Sequence, residues 1–97
     1  MSVTMVSRWK GKGDYMTLIK EETPFLRRHG AISIRCGHCF AGSYVGEIVC
    51  ATTFPDWITY ARAIETLVAD ADYMRVHGEF AEQFEVTDRS IIMDEEY

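Results

Sequence analysis

The sequence predicts an α+β fold of the ferredoxin-like type, with the element order βαββαβ. Three observations lead to this prediction. Alternating apolar and polar residues mark short strands, apolar stripes with helical spacing mark two longer segments, and turn residues separate them. The length of 97 residues leaves room for one domain, residues 1–97. A four-stranded antiparallel sheet with its helices on one face accounts for all of these segments.

The first strand is predicted at residues 2–10 and the first helix after the turn at 11–13. Asp14 can cap this helix by accepting hydrogen bonds from its first backbone N–H groups. Glu22 is the one misfit in the apolar stripe of the helix, and Pro24 is expected to kink or split the helix near it. Alternation places on one face of the strand the side chains of Val3, Met5, Ser7 and Trp9.

The second and third strands are predicted at residues 31–40 and 44–53, joined by a turn into an antiparallel hairpin. A long helical region then follows, with an apolar stripe from Trp57 to Val68 that is expected to be core. We expect a break at 70–72, a helical continuation to Phe84 and a last strand at 89–93. Residues 94–97 form an acidic tail that is expected to be mobile.

The acidic balance of the chain excludes some partners. Its net charge is −5, whereas nucleic acids and anionic membrane surfaces favour basic proteins. No apolar run reaches the roughly 18–20 residues of a membrane span, and residues 1–5 do not resemble a secretory leader. Three cysteines, an odd number, suit a reducing compartment. We therefore expect a cytoplasmic protein with no nucleic-acid or membrane partner.

The predicted sheet has apolar side chains on both faces, although helices cover only one of them. A bare apolar sheet face is a liability that a second copy of the chain would bury. We therefore expect a homodimer. The more mixed face carries Arg8, Arg35 and Glu47 among valines, and these charges would line a cavity between the two sheets if that face forms the interface.

Several segments resemble the dimeric α+β barrel superfamily, and most of all its NIPSNAP-like and EthD-like groups. The resemblance is carried by residues 8–12, 24–31 and 54–57, and by Tyr60, Ala63 and Tyr73. It implies a pocket lined by the sheet in a homodimer that binds a small, largely apolar or anionic molecule. Some members are monooxygenases or isomerases that need no cofactor. The quinone-forming and haem-degrading members use a pocket asparagine, and this chain contains no asparagine.

His38 is the residue that we predict to be catalytic. It lies near the end of the second strand, where Glu47 or Tyr44 of the neighbouring strand is a candidate partner. An imidazole gains or loses a proton near neutral pH, and a carboxylate partner would orient it. The pairing depends on the register of the hairpin, which the sequence leaves open.

Arg8, Trp9 and Arg35 complete the predicted ligand-binding set, with Tyr44 and Glu47. The two arginines can hold an anionic ligand through bidentate hydrogen bonds. The alternative, which we favour slightly, is an ion pair with Glu47 across the sheet. Trp9, at the end of a strand, is the aromatic residue best placed for a pocket mouth.

The tetrapeptide Cys36-Gly37-His38-Cys39 matches the motif of disulfide isomerases, but it follows a strand pattern and no helix begins after it. A zinc site would need Cys50 as a fourth ligand, and structural zinc sites usually draw on two clusters. We favour the interpretation that Cys36 and Cys50 pack in the core. His29 and His77 are predicted to be helix-end and packing residues.

Two hypotheses about function remain. The first is an enzyme without a cofactor that performs oxygenation, isomerisation or dehydration, in which His38 moves protons and an arginine holds negative charge. The second is a binding or interaction module without catalysis, in which the charges are structural.

Overall fold

The computed structural model describes residues 1–95. Four strands form one antiparallel sheet in the order β2-β3-β1-β4, which confirms the predicted ferredoxin-like fold. Because the second helical region is broken, it forms two helices. The elements are β1 (Val3–Gly11), α1 (Tyr15–Arg28), β2 (Ser33–His38), β3 (Ile48–Phe54), α2 (Trp57–Ala69), α3 (Ala71–Gln83) and β4 (Phe84–Met93).

Strand β1 lies in the middle of the sheet, between β3 and β4. Met5, near its centre, pairs with Thr52 of β3 and with Ile91 of β4. The alternation predicted for this strand is confirmed, because Val3 and Trp9 are both buried, and Trp9 packs in a core cluster with Leu18 of α1 and Phe80 of α3. The opposite face of the sheet, which carries Thr4, Val6 and Arg8 of β1, has no helix on it and is called the open face below.

The core beneath the helices is divided into two clusters. One surrounds Trp9 and Phe80, and the other surrounds Leu26 and Phe54. Buried polar side chains lie between the two clusters, and these are Ser7, Glu22 and Thr52. These polar side chains line a cavity at the centre of the layer, and their burial requires hydrogen-bond partners.

The hairpin strands are shorter than predicted, and residues 39–47 form a loop. Cys39 N–H donates to Glu47 O at 2.8 Å, and Gly46 N–H donates to Cys39 O at 2.9 Å. Gly46 has a φ of 88°, a conformation that suits glycine and turns the chain. Tyr44 therefore lies in the loop and not in a strand, which corrects the prediction.

Helix α1 runs unbroken through Pro24, so the predicted split does not occur. Proline removes the hydrogen bond to the carbonyl of Lys20, one turn earlier, and both residues are exposed to water that can replace it. The predicted cap is confirmed, since the Asp14 carboxylate accepts from Thr17 N–H at 3.1 Å. Gly30, with a φ of 107°, follows the end of the helix as predicted.

The predicted break near residue 70 is confirmed. Asp70 ends α2 and caps α3 by accepting from Tyr73 N–H at 3.2 Å. One other prediction for this half is wrong in part. Trp57 and Val68, at the ends of the predicted apolar stripe, are 49% and 61% exposed, whereas Leu67 of that stripe is buried together with Ala63.

The last strand begins earlier than predicted, at Phe84, where the chain turns directly from α3 into β4. Phe84 is buried against Phe80, so its apolar spacing reflects packing at the junction rather than another helical turn. Asp94, the first residue of the predicted acidic tail, accepts from Ser2 Oγ at 2.6 Å and Thr4 Oγ1 at 2.9 Å, and the mobility of the tail stays a prediction. Glu96 and Tyr97 of that tail lie outside the described residues. Within residues 1–95, no helix is long and apolar enough to cross a membrane.

Candidate functional site

A cavity of about 250 Å³ lies between the sheet and the helices, where the two core clusters separate. Its lining is mostly apolar and includes Trp9, Leu26 and Phe80. The mouth is bordered by exposed apolar side chains of α2 and α3, which are Ile64, Val68 and Met74. Concave apolar sites with a few polar groups are typical of small-molecule binding.

Glu22 and His77 form the central polar pair of this cavity. Glu22 is 7% exposed, and its Oε1 lies 2.7 Å from Nδ1 of His77. The two residues are 55 positions apart in sequence, and their contact joins α1 to α3. The contact with Glu22 uses Nδ1 of His77, so the other ring nitrogen, Nε2, takes no part in it. A histidine held at Nδ1 by a carboxylate is the arrangement that orients Nε2 towards a substrate in many enzymes.

Aromatic rings fix the orientation of the His77 imidazole. The Tyr73 ring stacks on it with 5.7 Å between centroids and 15° between planes. Trp9 meets it edge to face at 6.1 Å, and Phe80 meets Trp9 at 4.7 Å. The Trp9 indole N–H donates to Ser7 Oγ at 2.8 Å, so this ring is anchored as well. Packed aromatic neighbours of this kind restrict rotamers and preorganise a site.

Two further groups set the charge of the cavity. Burial, followed by the nearby Glu22 charge, raises the pKa of Tyr73 to about 12. Its hydroxyl therefore keeps its proton at neutral pH. Arg89 lines the cavity, with its guanidinium carbon 5.5 Å from the Trp9 ring centroid, and is a cation that can face an anionic ligand.

Cys36 and Cys50 also line the cavity, on the strands β2 and β3 that pair them directly. Both are free thiols, and Cys50 is the more buried of the two. Hydrogen bonding from the Cys50 thiol lowers the pKa of Cys36 and raises the pKa of Cys50. Cys39 lies beyond the end of β2, where its thiol contacts Ala41 O at 3.2 Å.

The structure divides the predicted site residues between the two faces of the sheet. Trp9 and His38 face the helices, whereas Arg8, Arg35 and Glu47 face away from them. His38 pairs with Ile48 in the hairpin register, so the adjacent Glu47 points to the opposite face. The predicted His38–Glu47 pair is therefore not formed.

His38 itself is exposed at the end of β2, apart from the cavity. Its Nδ1 lies 3.3 Å from the hydroxyl of Tyr15, whose ring it meets edge to face. Its proposed partner Tyr44 is instead in the loop after β2. The catalytic role of His38 stays a prediction.

The open face holds a second polar group of residues. The Arg8 guanidinium lies over the Tyr44 ring at 4.2 Å, and its buried Nε has no hydrogen-bond partner within the described chain. Glu47, 5% exposed, accepts from Thr87 Oγ1 at 2.5 Å. Neither Arg8 nor Arg35 forms an ion pair with Glu47, so that prediction is wrong. The Arg8 guanidinium contacts Tyr44 instead, and the Glu47 carboxylate accepts from Thr87.

The sequence contained one signal for the cavity pair. Glu22 is a charged residue at a position where the helical stripe calls for an apolar one, and such a residue is buried only with a partner. That partner was not recognisable, because His77 is one of three histidines and nothing local connects it to Glu22.

The helix-end role predicted for His29 is confirmed, since it caps α1. Across residues 1–95, no group of three or more His, Cys, Asp or Glu side chains is placed to hold a metal ion.

Comparison with known proteins gives a family and a fold. Residues 4–93 match the model of a domain of unknown function, DUF6854, and the chain belongs to this family. A search of the curated proteins found no match.

Several solved structures share the fold at low sequence identity. SnoaB, a cofactor-independent oxygenase from Streptomyces nogalater, superposes with a TM-score of 0.75 at 13% identity, over 99% of this chain and 95% of SnoaB. A NIPSNAP domain protein from Burkholderia xenovorans gives 0.73 at 17% identity, over 98% and 95% of the two chains. A dimeric ferredoxin-like protein from an uncultured marine organism gives 0.70 at 12% identity, over 97% of each chain. These similarities confirm the predicted resemblance to dimeric α+β barrel and NIPSNAP proteins.

Proposed function

We propose that this protein is a cofactor-independent enzyme that removes a proton from a small, largely apolar substrate, and that His77 is the base. The carrying observation is the 2.7 Å contact between His77 Nδ1 and Glu22 inside an otherwise apolar cavity. Oxygenation without a cofactor, isomerisation and dehydration can all begin with this proton transfer. The proposal thus names the step that the three predicted activities share.

The pair assigns a role to each nitrogen of the ring. An ionised Glu22 only accepts hydrogen bonds, so Nδ1 of His77 carries the proton and donates it. Nε2 then keeps its lone pair and can accept a proton from an activated C–H or O–H group of the substrate. Glu22 holds the ring in this tautomer and stabilises the imidazolium that forms, as the carboxylate does in hydrolase triads.

The rest of the cavity fits an apolar substrate that becomes an anion. Trp9 and Phe80 offer aromatic contact surface, and exposed apolar residues border the mouth. Arg89, beside Trp9, faces the negative charge that develops when the proton leaves. SnoaB, which shares the fold, is described as a cofactor-independent oxygenase, and this supports the class of reaction without naming a substrate.

The same proposal includes a homodimer that buries the open face. This face carries half-buried apolar residues, Val6 and Val49 among them, with no helix over them. Strand β4 is exposed at nine of its ten residues, and one structural neighbour is described as dimeric. Arg8, Arg35, Tyr44 and Glu47 would then line the contact between the two sheets, where the predicted anion-binding role of the arginines is to be tested.

A binding module without catalysis is the second candidate. The observation that favours it is the close stacking of Tyr73 on His77, which is also expected of a histidine that serves only packing. The cavity of about 250 Å³ is smaller than most ligand sites. In this case ligands bind, but no proton leaves them.

The test measures proton exchange in a panel of small aromatic phenols and 1,3-dicarbonyl compounds. In D₂O, NMR follows the loss of each activated C–H signal with wild type, His77→Gln and His38→Gln. We expect accelerated exchange with wild type and His38→Gln and at least a tenfold loss with His77→Gln, in keeping with the contribution of general bases. Glutamine keeps a donor for Glu22, so this variant should remain folded.

Binding is measured in parallel to separate the two candidates. Trp57 is exposed and Trp9 lines the cavity, so Trp57→Phe leaves Trp9 as the fluorescent reporter. Fluorescence changes without exchange for any compound would indicate the binding module. Exchange that is equal in wild type and His77→Gln, or lost only in His38→Gln, would overturn the assignment of the base.

A further inference from the structure

The cysteine pair in the cavity is not used by the proposed proton transfer. Cys36 and Cys50 are direct partners in adjacent antiparallel strands, and both side chains face the cavity. They are 14 residues apart in sequence, and the tetrapeptide motif around Cys36 does not include Cys50. Their closeness therefore arises from the hairpin register.

The register also fixes the kind of pair that they form. Cys39 N–H donates to Glu47 O at 2.8 Å, so Cys39 and Glu47 form a hydrogen-bonded pair. Hydrogen-bonded and non-hydrogen-bonded pairs alternate along an antiparallel ladder. Counting back along the register places Cys36 and Cys50 at a non-hydrogen-bonded pair. In such pairs the Cα atoms lie about 4.5 Å apart and the side chains approach closely. This separation is within the range that a disulfide spans.

We propose that Cys36 and Cys50 are a redox modification site, at which an organic hydroperoxide or hydrogen peroxide converts the two thiols into a cross-strand disulfide. The oxidant must be small because Cys50 is buried and Cys36 is half-buried. A peroxide meets this requirement and can enter through the apolar mouth of the cavity. Bulkier oxidants, such as disulfides of small peptides, are less able to reach the Cys36 and Cys50 thiols.

The reaction takes place in two balanced steps. The Cys36 thiolate attacks the terminal, hydrogen-bearing oxygen of the peroxide, the O–O bond breaks, and an alcohol or water leaves after taking up a proton, with Cys36 left as a sulfenic acid. The Cys50 sulfur then attacks the Cys36 sulfur and expels the sulfenic oxygen as water, together with the proton from Cys50. Two thiols are oxidised to one disulfide, and the oxidant is reduced to an alcohol and water if it is an organic hydroperoxide, or to two waters if it is hydrogen peroxide.

The environment favours Cys36 as the attacking thiol. It is the more accessible of the two, and hydrogen bonding from Cys50 lowers the pKa of its thiol. A lower pKa increases the thiolate fraction, which is the form that reacts. Cys50 lies beside Cys36 and is the resolving thiol, which attacks the sulfenic acid. An external thiol restores the reduced pair.

The experiment treats native protein with hydrogen peroxide at low micromolar protein concentration and follows intact mass, free thiols and peptide maps under non-reducing conditions. Cys39→Ser is the matched control, because it removes the one cysteine outside the cavity. Wild type and Cys39→Ser are both expected to lose two hydrogens in mass, with the bond mapped to Cys36 and Cys50. Dithiothreitol should restore both thiols.

Variants of the pair complete the test. Cys36→Ser and Cys50→Ser, each combined with Cys39→Ser, are expected to show no intramolecular disulfide, and the variant that keeps Cys36 should be trapped by a sulfenic-acid reagent. The proposal is overturned if the thiols of folded Cys39→Ser survive peroxide. It is also overturned if they gain oxygen without losing hydrogens, or if the wild-type bond involves Cys39.

Discussion

His77 Nδ1 and Glu22 Oε1 lie 2.7 Å apart and join α1 to α3 across the cavity. Glu22 is 7% exposed, so its carboxylate depends on this partner for the hydrogen bond that offsets burial. The contact therefore has a structural role and, in our proposal, a catalytic one. The two roles are separable by experiment.

The structural role predicts coupling between the two side chains. Glu22→Ala and His77→Ala should each lower the free energy of unfolding by about 1–3 kcal/mol, since each leaves a polar partner without its hydrogen bond. The double variant should lose less than the sum, with a coupling of about 0.5–3 kcal/mol. Urea denaturation of the four proteins measures this cycle. Strict additivity would show that the contact does not form in solution.

Tyr73 should titrate at unusually high pH. Its folded pKa is raised from 10.0 to about 12, because burial and the Glu22 charge disfavour the phenolate. The stability that depends on the neutral phenol is fully present below pH 10 and is lost as the pH rises through about 12. A rapid pH jump followed by ultraviolet absorbance should show a phenolate step near pH 12 in wild type and in Tyr44→Phe. Persistence of that step in Tyr73→Phe would contradict the assignment.

Two glycines should respond in opposite directions to the same substitution. A Cβ at Gly11 would collide with the backbone oxygen of Gln83 and the ring of Phe84, at the junction of α3 and β4. A Cβ at Gly78, inside α3, meets nothing within 4 Å. Gly78→Ala should therefore stabilise the protein by roughly 0.5–1 kcal/mol, and Gly11→Ala should destabilise it. The midpoint temperatures of thermal unfolding of the two variants test this prediction. Equal shifts of the midpoint would argue against the tight junction of α3 and β4.

The open face should mediate self-association. Light scattering at low micromolar concentration is expected to give twice the chain mass of 11.1 kDa. Val6→Glu places a charge in the middle of this face and should produce a folded monomer, because an unpaired charge in an apolar interface is costly. Ala81→Glu adds the same group at an exposed position of α3 and should leave the dimer intact. A monomeric wild type would remove the dimer from the proposal.

The fold was largely predictable from the sequence, and the site was not. Alternation in β1, the Asp14 cap and the stop at Gly30 are local signals, and each is confirmed. The start of β4 at Phe84 was missed because this residue continues the helical spacing of α3. Its burial against Phe80 is a tertiary contact that periodicity does not distinguish from another helical turn.

The site depends on contacts between segments that are distant in sequence. The partners Glu22 and His77 are 55 residues apart, and only the packing of α1 against α3 brings them together. The hairpin register, which no local pattern fixes, decided that Glu47 faces away from His38 and that Cys36 faces Cys50. A charged residue in an apolar stripe, such as Glu22, was the one advance sign of the cavity.

The protonation state of His77 tests the central claim most directly. Long-range ¹⁵N NMR of the imidazole, recorded at a pH where the ring is neutral, distinguishes a proton on Nδ1 from one on Nε2. We expect the proton on Nδ1, held by Glu22, with Nε2 bare, and we expect Glu22→Ala to abolish this preference. A proton on Nε2 in the wild-type protein would contradict the account, because the nitrogen that faces the substrate would then be a donor and not a base.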